Sequence, residues 1–360
     1  MRDLKELTRE SYREVITLPE VVAERCVHVL IETATCQACV DACPRDAWLL
    51  DDEQLGIDTE RCDGCKLCVA ACPQGAIQAQ MTPALKSADA QTIAFYACEL
   101  TGKKTDEGVV PCLHALGLNA IMLLYRRGIR AIVSCSSDCS DCSRADATSL
   151  SERVKNFNTL LRDRGLPVMQ YRNVTVGKWS HLVSSQLQDA RGPSMNRRQF
   201  FRRMTHTVIE ENRLLRDSGH GSDAEFIAPG KILPGQSPAQ LVPFLPKIDP
   251  SRCSGCDACV KLCPHGAISA LTDEQENHIA YQIAPEACSS CGICVDVCEP
   301  QAVCIKPWAV PDVTRIPLTS NRCRSCGVSF HAPTGYPSDA QLCRICVQTN
   351  HHRLLFQIMD

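Results

Sequence analysis

Two stretches of equal length and identical cysteine spacing decide the fold: CSGCDACVKLCPHGAI at residues 253–268 and CSSCGICVDVCEPQAV at residues 288–303. In each, four cysteines follow the pattern C-x2-C-x2-C-x3-C. Three closely spaced thiolates can surround one metal centre from a tight loop, whereas the fourth, about one helical turn further on, turns outward to a neighbouring centre. The spacing therefore predicts two metal centres that exchange one ligand between the stretches.

The two stretches resemble the halves of a bacterial 2[4Fe–4S] ferredoxin, in which proline follows the last cysteine. Pro264 follows the first run directly, whereas Glu299 stands before Pro300 in the second. A zinc site would not need four cysteines per run followed by proline. We expect a ferredoxin module over residues 247–310 with crossed ligands: one cluster on Cys253, Cys256, Cys259 and Cys298, the other on Cys288, Cys291, Cys294 and Cys263.

A second pair of runs, in a module expected over residues 26–85, lacks one cysteine. CDGCKLCVAACPQGAI at residues 62–77 is complete, but TATCQACVDACP at residues 33–44 has Thr33 in place of the first cysteine. The same crossing predicts a complete cluster on Cys62, Cys65, Cys68 and Cys43. The partner cluster would take only three ligands from the pattern, namely Cys36, Cys39 and Cys72.

Three interpretations of the Thr33 half-site remain open. Cys26 could supply the fourth thiolate, a three-ligand [3Fe–4S] cluster could form, or the cysteines could be small buried residues without a cluster. A strand rises about 3.3 Å per residue, so an extended chain would place Cys26 roughly 23 Å from Thr33. The first interpretation therefore requires that the chain fold back between them. We expect the site to be occupied in one of the first two ways.

Residues 90–185 predict a small α/β domain with a parallel sheet. Strands expected at 92–98, 129–135 and 167–174 alternate with helices expected at 112–128 and 149–165. Functional residues of such sheets lie at the carboxyl ends of the strands. Five candidate ligands fall near that edge: Cys98, Cys112, Cys135, Cys139 and Cys142. Cys112 is expected beside a helix N-terminus, a position that favours thiolates.

This segment resembles the iron–sulfur delta subunit of methyl-viologen-reducing hydrogenases. The resemblance rests on Cys98 at a strand end, on VVPCLHALGLNAIMLLYRRGIRAIVSC at residues 109–135, and on the cysteine pair that follows. It implies a [2Fe–2S] cluster and electron transfer between a hydrogenase or formate dehydrogenase and a flavoprotein reductase. The final spacing, CSSDCSDC, departs from the family, so either Cys139 or Cys142 could be the fourth ligand.

Three further segments complete the expected organisation. Residues 1–25 have apolar side chains at roughly helical spacing and predict an amphipathic segment. Residues 186–246 predict a basic helix, including a twin-arginine-like SMNRRQFFRRM at 194–204, followed by a proline-rich linker. Residues 318–350 predict a zinc-ribbon-like tail, because two C-x2-C pairs separated by sixteen residues are typical of a closed structural zinc site. Its ligands would be Cys323, Cys326, Cys343 and Cys346.

Composition excludes several other classes of protein. With 26 cysteines in 360 residues, a disulfide scaffold would be unusually long. The charged amino-terminal stretch lacks the apolar region of a signal peptide, and no apolar run approaches the roughly 18 residues of a membrane span. A net charge of −3 does not favour nucleic acid. These features predict a cytoplasmic protein whose thiolates bind metal.

No motif for catalysis accompanies the cysteines. The chain lacks a dinucleotide fingerprint, a phosphate-binding loop, an H-E-x-x-H helix and a haem attachment pair. We therefore expect an α+β multi-domain chain, with two ferredoxin-like modules flanking the α/β domain, that has no catalytic site of its own. It would relay electrons between protein redox partners, such as hydrogenase, formate dehydrogenase or flavoprotein reductase subunits. The alternative is an iron–sulfur assembly or maturation factor for a redox enzyme.

Overall fold

The computed structural model describes residues 17–50, 55–88, 91–103, 107–140, 142–144, 149–185, 188–189, 226–233, 239–336 and 342–349. The chain divides into two compact units. The first comprises Met1–Val29, Gln37–Thr159 and Pro167–Phe226, and the second comprises Leu30–Cys36, Leu160–Leu166 and Ile227–Asp360. Most of the expected amphipathic segment and the whole basic stretch 194–204 lie outside the described residues. Among the described residues, no helix is both long and apolar enough to cross a bilayer.

The amino-terminal part of the first unit is built from very short elements around buried cysteines. Its apolar core contains Trp48, Leu55 and Ile77 together with Cys26, Cys39 and Cys68. Strand β1 pairs antiparallel with β4, and β2 pairs antiparallel with β3. The elements are β1 (Glu20–Val21), a 3-10 turn (Ala23–Arg25), α1 (Val27–Leu30), α2 (Ala38–Asp41), β2 (Trp48–Leu50), β3 (Leu55–Ile57), α3 (Leu67–Ala71) and β4 (Ile77–Gln78).

The rest of the first unit is an α/β domain whose sheet contains the expected parallel strands. Strand β6 pairs parallel with β8, and β8 pairs parallel with β9. The sheet is mixed, because β5 and β10 add an antiparallel edge that the sequence did not predict. Its strands are β5 (Ala84–Ala88), β6 (Gln91–Cys98), β7 (Val109–Val110), β8 (Ala131–Cys135), β9 (Gln170–Asn173) and β10 (Gln188–Asp189).

The helices of this domain are α4 (Leu118–Arg126), α5 (Leu150–Asp163) and α6 (Val176–Ser184). The predicted start of the first helix at Cys112 is wrong, since a 3-10 turn over Leu113–Ala115 precedes an α-helix capped by Gly117. Cys112 therefore lies ahead of the 3-10 turn and not at the amino end of an α-helix. A Cβ at Gly117 would lie 3.1 Å from the Cα of Ala70 in α3, so the absence of a side chain allows this close approach.

The second unit contains a two-stranded ribbon and a four-stranded antiparallel sheet. Strand β11 pairs with β14, and the larger sheet has the order β12-β13-β15-β16. Thus the strand that leads into the four-cysteine tail is hydrogen-bonded to a strand of the ferredoxin-type module. The elements are α7 (Pro229–Ile232), β11 (Val242–Ile248), α8 (Ala258–Lys261), β12 (Ile268–Thr272), β13 (His278–Ile283), α9 (Ile293–Asp296), β14 (Val303–Ala309), β15 (Arg315–Arg322), β16 (Ser329–Pro333) and α10 (Arg344–Thr349).

One glycine shows how closely β16 approaches the cysteine loop of this unit. A Cβ at Gly255 would lie 2.0 Å from the carbonyl oxygen of His331, and its φ is +71°. We expect Gly255→Ala to lower the free energy of unfolding through both the left-handed backbone, about 1–2 kcal/mol, and overpacking, about 1–3 kcal/mol. Thermal or denaturant unfolding of the full chain measures the loss.

Gly266→Ala is the matched control for this prediction. Gly266 also has a left-handed φ, +67°, but no atom lies within 4 Å of the position that a Cβ would take there. Only the backbone cost of about 1–2 kcal/mol should remain at this glycine. Equal losses in the two variants would contradict the close approach of β16 to the loop.

Candidate iron–sulfur and metal sites

Three of the four ferredoxin-type loops share an unusual backbone conformation. The residues directly before and directly after the second cysteine are both left-handed, with φ between +61° and +86°. Alternation of left-handed residues with ordinary ones turns successive N–H groups into a concave surface that suits anionic sulfur sites. The three pairs are Gly64 and Lys66, Gly255 and Asp257, and Ser290 and Gly292.

The loop that contains Thr33 lacks this conformation. Thr35 and Gln37 occupy the corresponding positions, but Thr35 is not left-handed and Gln37 has a φ of −122°. The segment Leu30–Cys36 groups with the second unit, where the N–H and hydroxyl of Thr35 donate to the two carboxylate oxygens of Asp296 at 3.0 and 2.8 Å. The missing cysteine is therefore accompanied by a different loop.

The turn after the fourth cysteine is common to all four runs. A left-handed residue lies three positions beyond that cysteine in each, at Asp46, Gly75, Gly266 and Gln301. In three runs the next N–H donates to the cysteine sulfur: Ala47 to Cys43 at 3.4 Å, Ala267 to Cys263 at 3.2 Å and Ala302 to Cys298 at 3.1 Å. Hydrogen bonds to ligand sulfurs fix their orientation and influence cluster potential.

In the first unit, the structure brings Cys43 to the loop of the following run. Cys43, Cys62, Cys65 and Cys68 line one cavity, as the crossed assignment expects. Burial raises the pKa of Cys65 to about 11 and that of Cys68 to about 12, and the charge of neighbouring thiolates contributes to the second shift. Four thiolates in such surroundings need positive metal charge, so this donor set fits a cluster.

In the second unit, the eight cysteines form two groups in the same crossed way. Burial raises the pKa of Cys259 to about 12, and its charged neighbours are Cys253, Cys256 and Cys298. Burial likewise raises the pKa of Cys288 to about 12, with Cys291 and Cys263 as neighbours. Cys294 lies among Cys288, Cys291 and Cys263, with Cys259 of the other group nearby. Both donor sets fit a four-iron cluster held by four thiolates.

Cys26 lies near two of the cysteines that the pattern assigns to the Thr33 half-site. The short helix α1 follows Cys26 directly, so the chain is not fully extended between Cys26 and Thr33. Cys26 is 8% exposed and belongs to the same core as Cys39, with Cys72 packed against it. Burial raises its pKa, and the nearby Cys72 raises it further.

The middle-domain cysteines separate into a group of four and one residue apart from them. Cys98, Cys112, Cys139 and Cys142 line a common cavity. Cys135, one of the expected candidate ligands, does not line it. It is 0% exposed and packs among Phe95, Val133 and Trp179. Alternation along β8 accounts for this position, since Cys135 and Val133 lie on the same face of the strand.

The tail cysteines also converge. The sulfur atoms of four residues all lie within 4.8 Å of one another, so the group could hold a metal ion: Cys323, Cys326, Cys343 and Cys346. Burial opposes ionisation of Cys323, but backbone hydrogen bonds from Cys326, Cys343 and Ser325 lower the pKa of this thiol. The Cys343 N–H, for instance, donates to the Cys323 sulfur at 3.2 Å. A thiolate prepared in this way is a ready metal ligand.

Comparison with known protein families identifies iron–sulfur domains in three places. A 4Fe-4S dicluster domain matches residues 252–303, and two further 4Fe-4S binding domains match residues 55–78 and 23–46. The last match contains both Cys26 and Thr33. The expectation of ferredoxin-type [4Fe–4S] domains is thereby confirmed, and the chain is an iron–sulfur protein.

Individual relatives resemble only part of the chain. The electron transport protein HydN of Escherichia coli K12 is 39% identical over 82 residues, which cover 20% of this chain and 46% of HydN. A protein of Proteus vulgaris, named as an iron–sulfur subunit of the Frd operon, is 33% identical over 84 residues, 20% of this chain and 54% of that protein. A heterodisulfide reductase-like protein of Archaeoglobus profundus is 44% identical over 48 residues, 13% of this chain and 6% of that protein. The chain thus spans about half the length of the first two relatives.

We expect Cys323→Ser to remove one tightly bound metal ion per chain, because three remaining thiolates hold zinc or iron much less well than four. Elemental analysis of zinc and iron in the purified protein measures the loss. Cys304→Ser is the control, since Cys304 is exposed and outside the tail group. Retention of the full metal content by Cys323→Ser would contradict a four-cysteine site.

Proposed function

We propose that the chain is a multi-cluster electron-transfer subunit that relays electrons between protein redox partners in a cytoplasmic oxidoreductase complex. The observation that carries this proposal is the set of three loops with the same left-handed residue pairs, each joined to a crossed fourth cysteine. Similarity to a protein named for electron transport, HydN, supports it. Bound [4Fe–4S] clusters would supply one-electron redox chemistry, while the protein provides spacing, burial and hydrogen bonds to sulfur.

Three complete ligand sets follow from this arrangement. In the first unit we assign Cys43, Cys62, Cys65 and Cys68. In the second unit we assign Cys253, Cys256, Cys259 and Cys298 to one cluster and Cys263, Cys288, Cys291 and Cys294 to the other. The charged neighbours of the buried thiols support each set.

For the Thr33 half-site, Cys26 is the ligand that replaces the missing first cysteine, beside Cys39 and Cys72. Its burial in one core with Cys39, its proximity to Cys72 and the family match that begins at residue 23 support this assignment. A cysteine upstream of the ordinary loop also agrees with the absence of the left-handed pair at Thr35 and Gln37. A [4Fe–4S] cluster is therefore favoured over a three-ligand [3Fe–4S] cluster.

In the middle domain, Cys98, Cys112, Cys139 and Cys142 hold a further cluster, of the [2Fe–2S] type that the resemblance to the hydrogenase delta subunit implies. Their common cavity supports the set, and both members of the final cysteine pair belong to it. Burial raises the pKa of Cys112 to about 12, and Cys98 and Cys142 are among its charged neighbours. Cys135 is a core residue of the sheet in this assignment.

Contacts inside the first unit support an electron path between the proposed cluster on Cys43, Cys62, Cys65 and Cys68 and the proposed middle-domain cluster. Cys65 and Cys112 belong to one buried cluster, together with Leu67. Arg144 joins the loop that contains Cys65 to the segment that contains Cys112. On the first side, its Nε donates to Asp63 Oδ2 at 2.9 Å and its Nη2 donates to the Asp63 carbonyl oxygen at 3.1 Å. On the second side, its Nη1 donates to the Pro111 carbonyl oxygen at 3.1 Å and to the Glu99 carboxylate. A guanidinium with several fixed acceptors holds two loops together better than a flexible ammonium group would.

Replacement of Cys26 tests the half-site. We expect Cys26→Ser to lose one cluster, about four iron atoms per chain, because no other thiolate replaces the ligand. Iron and sulfide analysis of anaerobically purified protein measures the change, with Cys304→Ser as control. Unchanged iron with an oxidised S = 1/2 signal of the [3Fe–4S] type in both wild type and variant would favour the three-ligand interpretation instead.

A pair of matched serine variants tests the middle domain. We expect Cys98→Ser with Cys112→Ser to lose one spectroscopic centre, about two iron atoms, while the ferredoxin-type clusters keep their signals. Cys135→Ser, which changes a buried cysteine outside the cavity, should keep all centres. Loss of the centre in Cys135→Ser, or its retention in the double variant, would contradict the assigned ligands.

Purification from the native cell at low oxygen tests the electron-transfer function. We expect the chain to co-purify with the catalytic part of an oxidoreductase and to be required for electron delivery to or from it. A variant with Cys253→Ser and Cys288→Ser that still co-purifies with that partner should no longer support electron transfer. If this variant restores full redox activity to the partner, the chain acts in assembly or maturation and not as a relay.

A further inference from the structure

Three side chains that the cysteine pattern does not connect meet in the second unit. Asp257 lies in the loop between Cys256 and Cys259, His278 begins β13, and His331 lies in β16. The Nε2 atom of His331 is 2.9 Å from Asp257 Oδ1, and the Nδ1 atom of His278 is 3.3 Å from Asp257 Oδ2. One ligand atom from each of the three lies within 4.8 Å of the other two.

These distances suit ligands that share one metal ion. Zinc binds imidazole nitrogen at about 2.0–2.1 Å and carboxylate oxygen at about 2.0–2.2 Å, so two ligand atoms on a tetrahedral ion lie about 3.3 Å apart. The two separations, each to a different oxygen of the Asp257 carboxylate, lie within a few tenths of an ångström of this value. The imidazole rings are close to each other as well, with centroids 4.8 Å apart and an interplanar angle of 56°.

Hydrogen bonding alone leaves one of the three ligand atoms unsatisfied. His278 Nδ1 is buried and makes no hydrogen bond within the described residues, although it lies 3.3 Å from a carboxylate oxygen. A buried imidazole nitrogen without a partner costs about 1–3 kcal/mol. A metal ion between Nδ1 and the carboxylate would give this atom a partner.

Asp257 is held in place by a residue that would not touch the ion. The hydroxyl of Tyr281, which is 0% exposed, donates to Asp257 Oδ1 at 2.7 Å. Ligating carboxylates in metal sites are commonly oriented by such hydrogen bonds, and loss of one typically costs 10–100-fold in affinity. The arrangement therefore includes both a donor set and the support that a donor set requires.

We propose that Asp257, His278 and His331 form a further metal site that binds Zn²⁺ through two imidazole nitrogens and the Asp257 carboxylate. The fourth position of a tetrahedral ion would be open to water. The site ties β13 and β16 to the loop that carries Cys253, Cys256 and Cys259. The close approach of β16 to Gly255 shows that the strand already lies against this loop.

Zinc analysis of the full chain tests the proposal. In anaerobically prepared protein dialysed against zinc, the double variant His278→Ala with His331→Ala should hold one zinc ion per chain fewer than wild type. Its iron content and cluster absorption should be unchanged, which shows that the fold and clusters persist. His181→Ala, a change at an exposed histidine of α6, should keep the wild-type zinc content. Equal zinc in wild type and the double variant would overturn the proposal, leaving a polar network only.

A second pair of measurements does not depend on the double variant folding. Tyr281→Phe keeps the ring but removes the donor to Asp257, so zinc at this site should bind about 10–100-fold more weakly in competition with a chelator. In a variant with Cys323→Ser and Cys346→Ser, X-ray absorption of the remaining zinc should show only nitrogen and oxygen neighbours at about 2.0–2.2 Å. Unchanged affinity in Tyr281→Phe, or no zinc left after the cysteine changes, would overturn the proposal.

Discussion

The burial of closely spaced thiols is the constraint on which most of this structure depends. A buried thiolate is unfavourable, and each additional thiolate nearby makes ionisation harder, as the raised pKa values of Cys68, Cys259 and Cys288 show. Metal charge removes this penalty, so cluster binding and folding are coupled. The elements around the sites agree with this view: α2, α8 and α9 have four residues each, too few for an isolated helix to be stable in water.

Local sequence carried most of the information about the ferredoxin-type sites. Cysteine spacing fixes which sulfurs share a loop, and glycine at positions 64, 255 and 292 supplies part of the left-handed backbone that the loop needs. The alternation of strands and helices in the α/β domain was also predictable from local sequence, since β-branched and aromatic runs alternate with helical ones. The pairing of β10 with β5 was not predictable in this way, because it joins segments about one hundred residues apart.

A position at a strand end was not sufficient to identify which cysteines of the middle domain lie together. Cys98 and Cys135 end neighbouring parallel strands, but only the first lines the cysteine cavity. The direction of each side chain from its strand decides the difference, and this direction depends on the register between strands. The group of Asp257, His278 and His331 was beyond local reasoning altogether. Its members come together only because β15 extends the sheet from β13 and β16 follows it back across the cysteine loop.

The crossed ligand pattern also explains which features of the incomplete half persist. In this pattern, the loop with Thr33 serves only its own half-site, whereas Cys43 belongs to the complete neighbouring cluster. The backbone of the Thr33 loop differs from that of the other loops, whereas the turn after Cys43 does not. The left-handed pair is absent around Cys36, yet the turn after Cys43 is kept, with Asp46 at a φ of +47° and the Ala47 N–H donating to the Cys43 sulfur. A change that alters this loop therefore need not disturb the neighbouring cluster. A substitute thiolate can then come from upstream, where Cys26 is already buried in the same core.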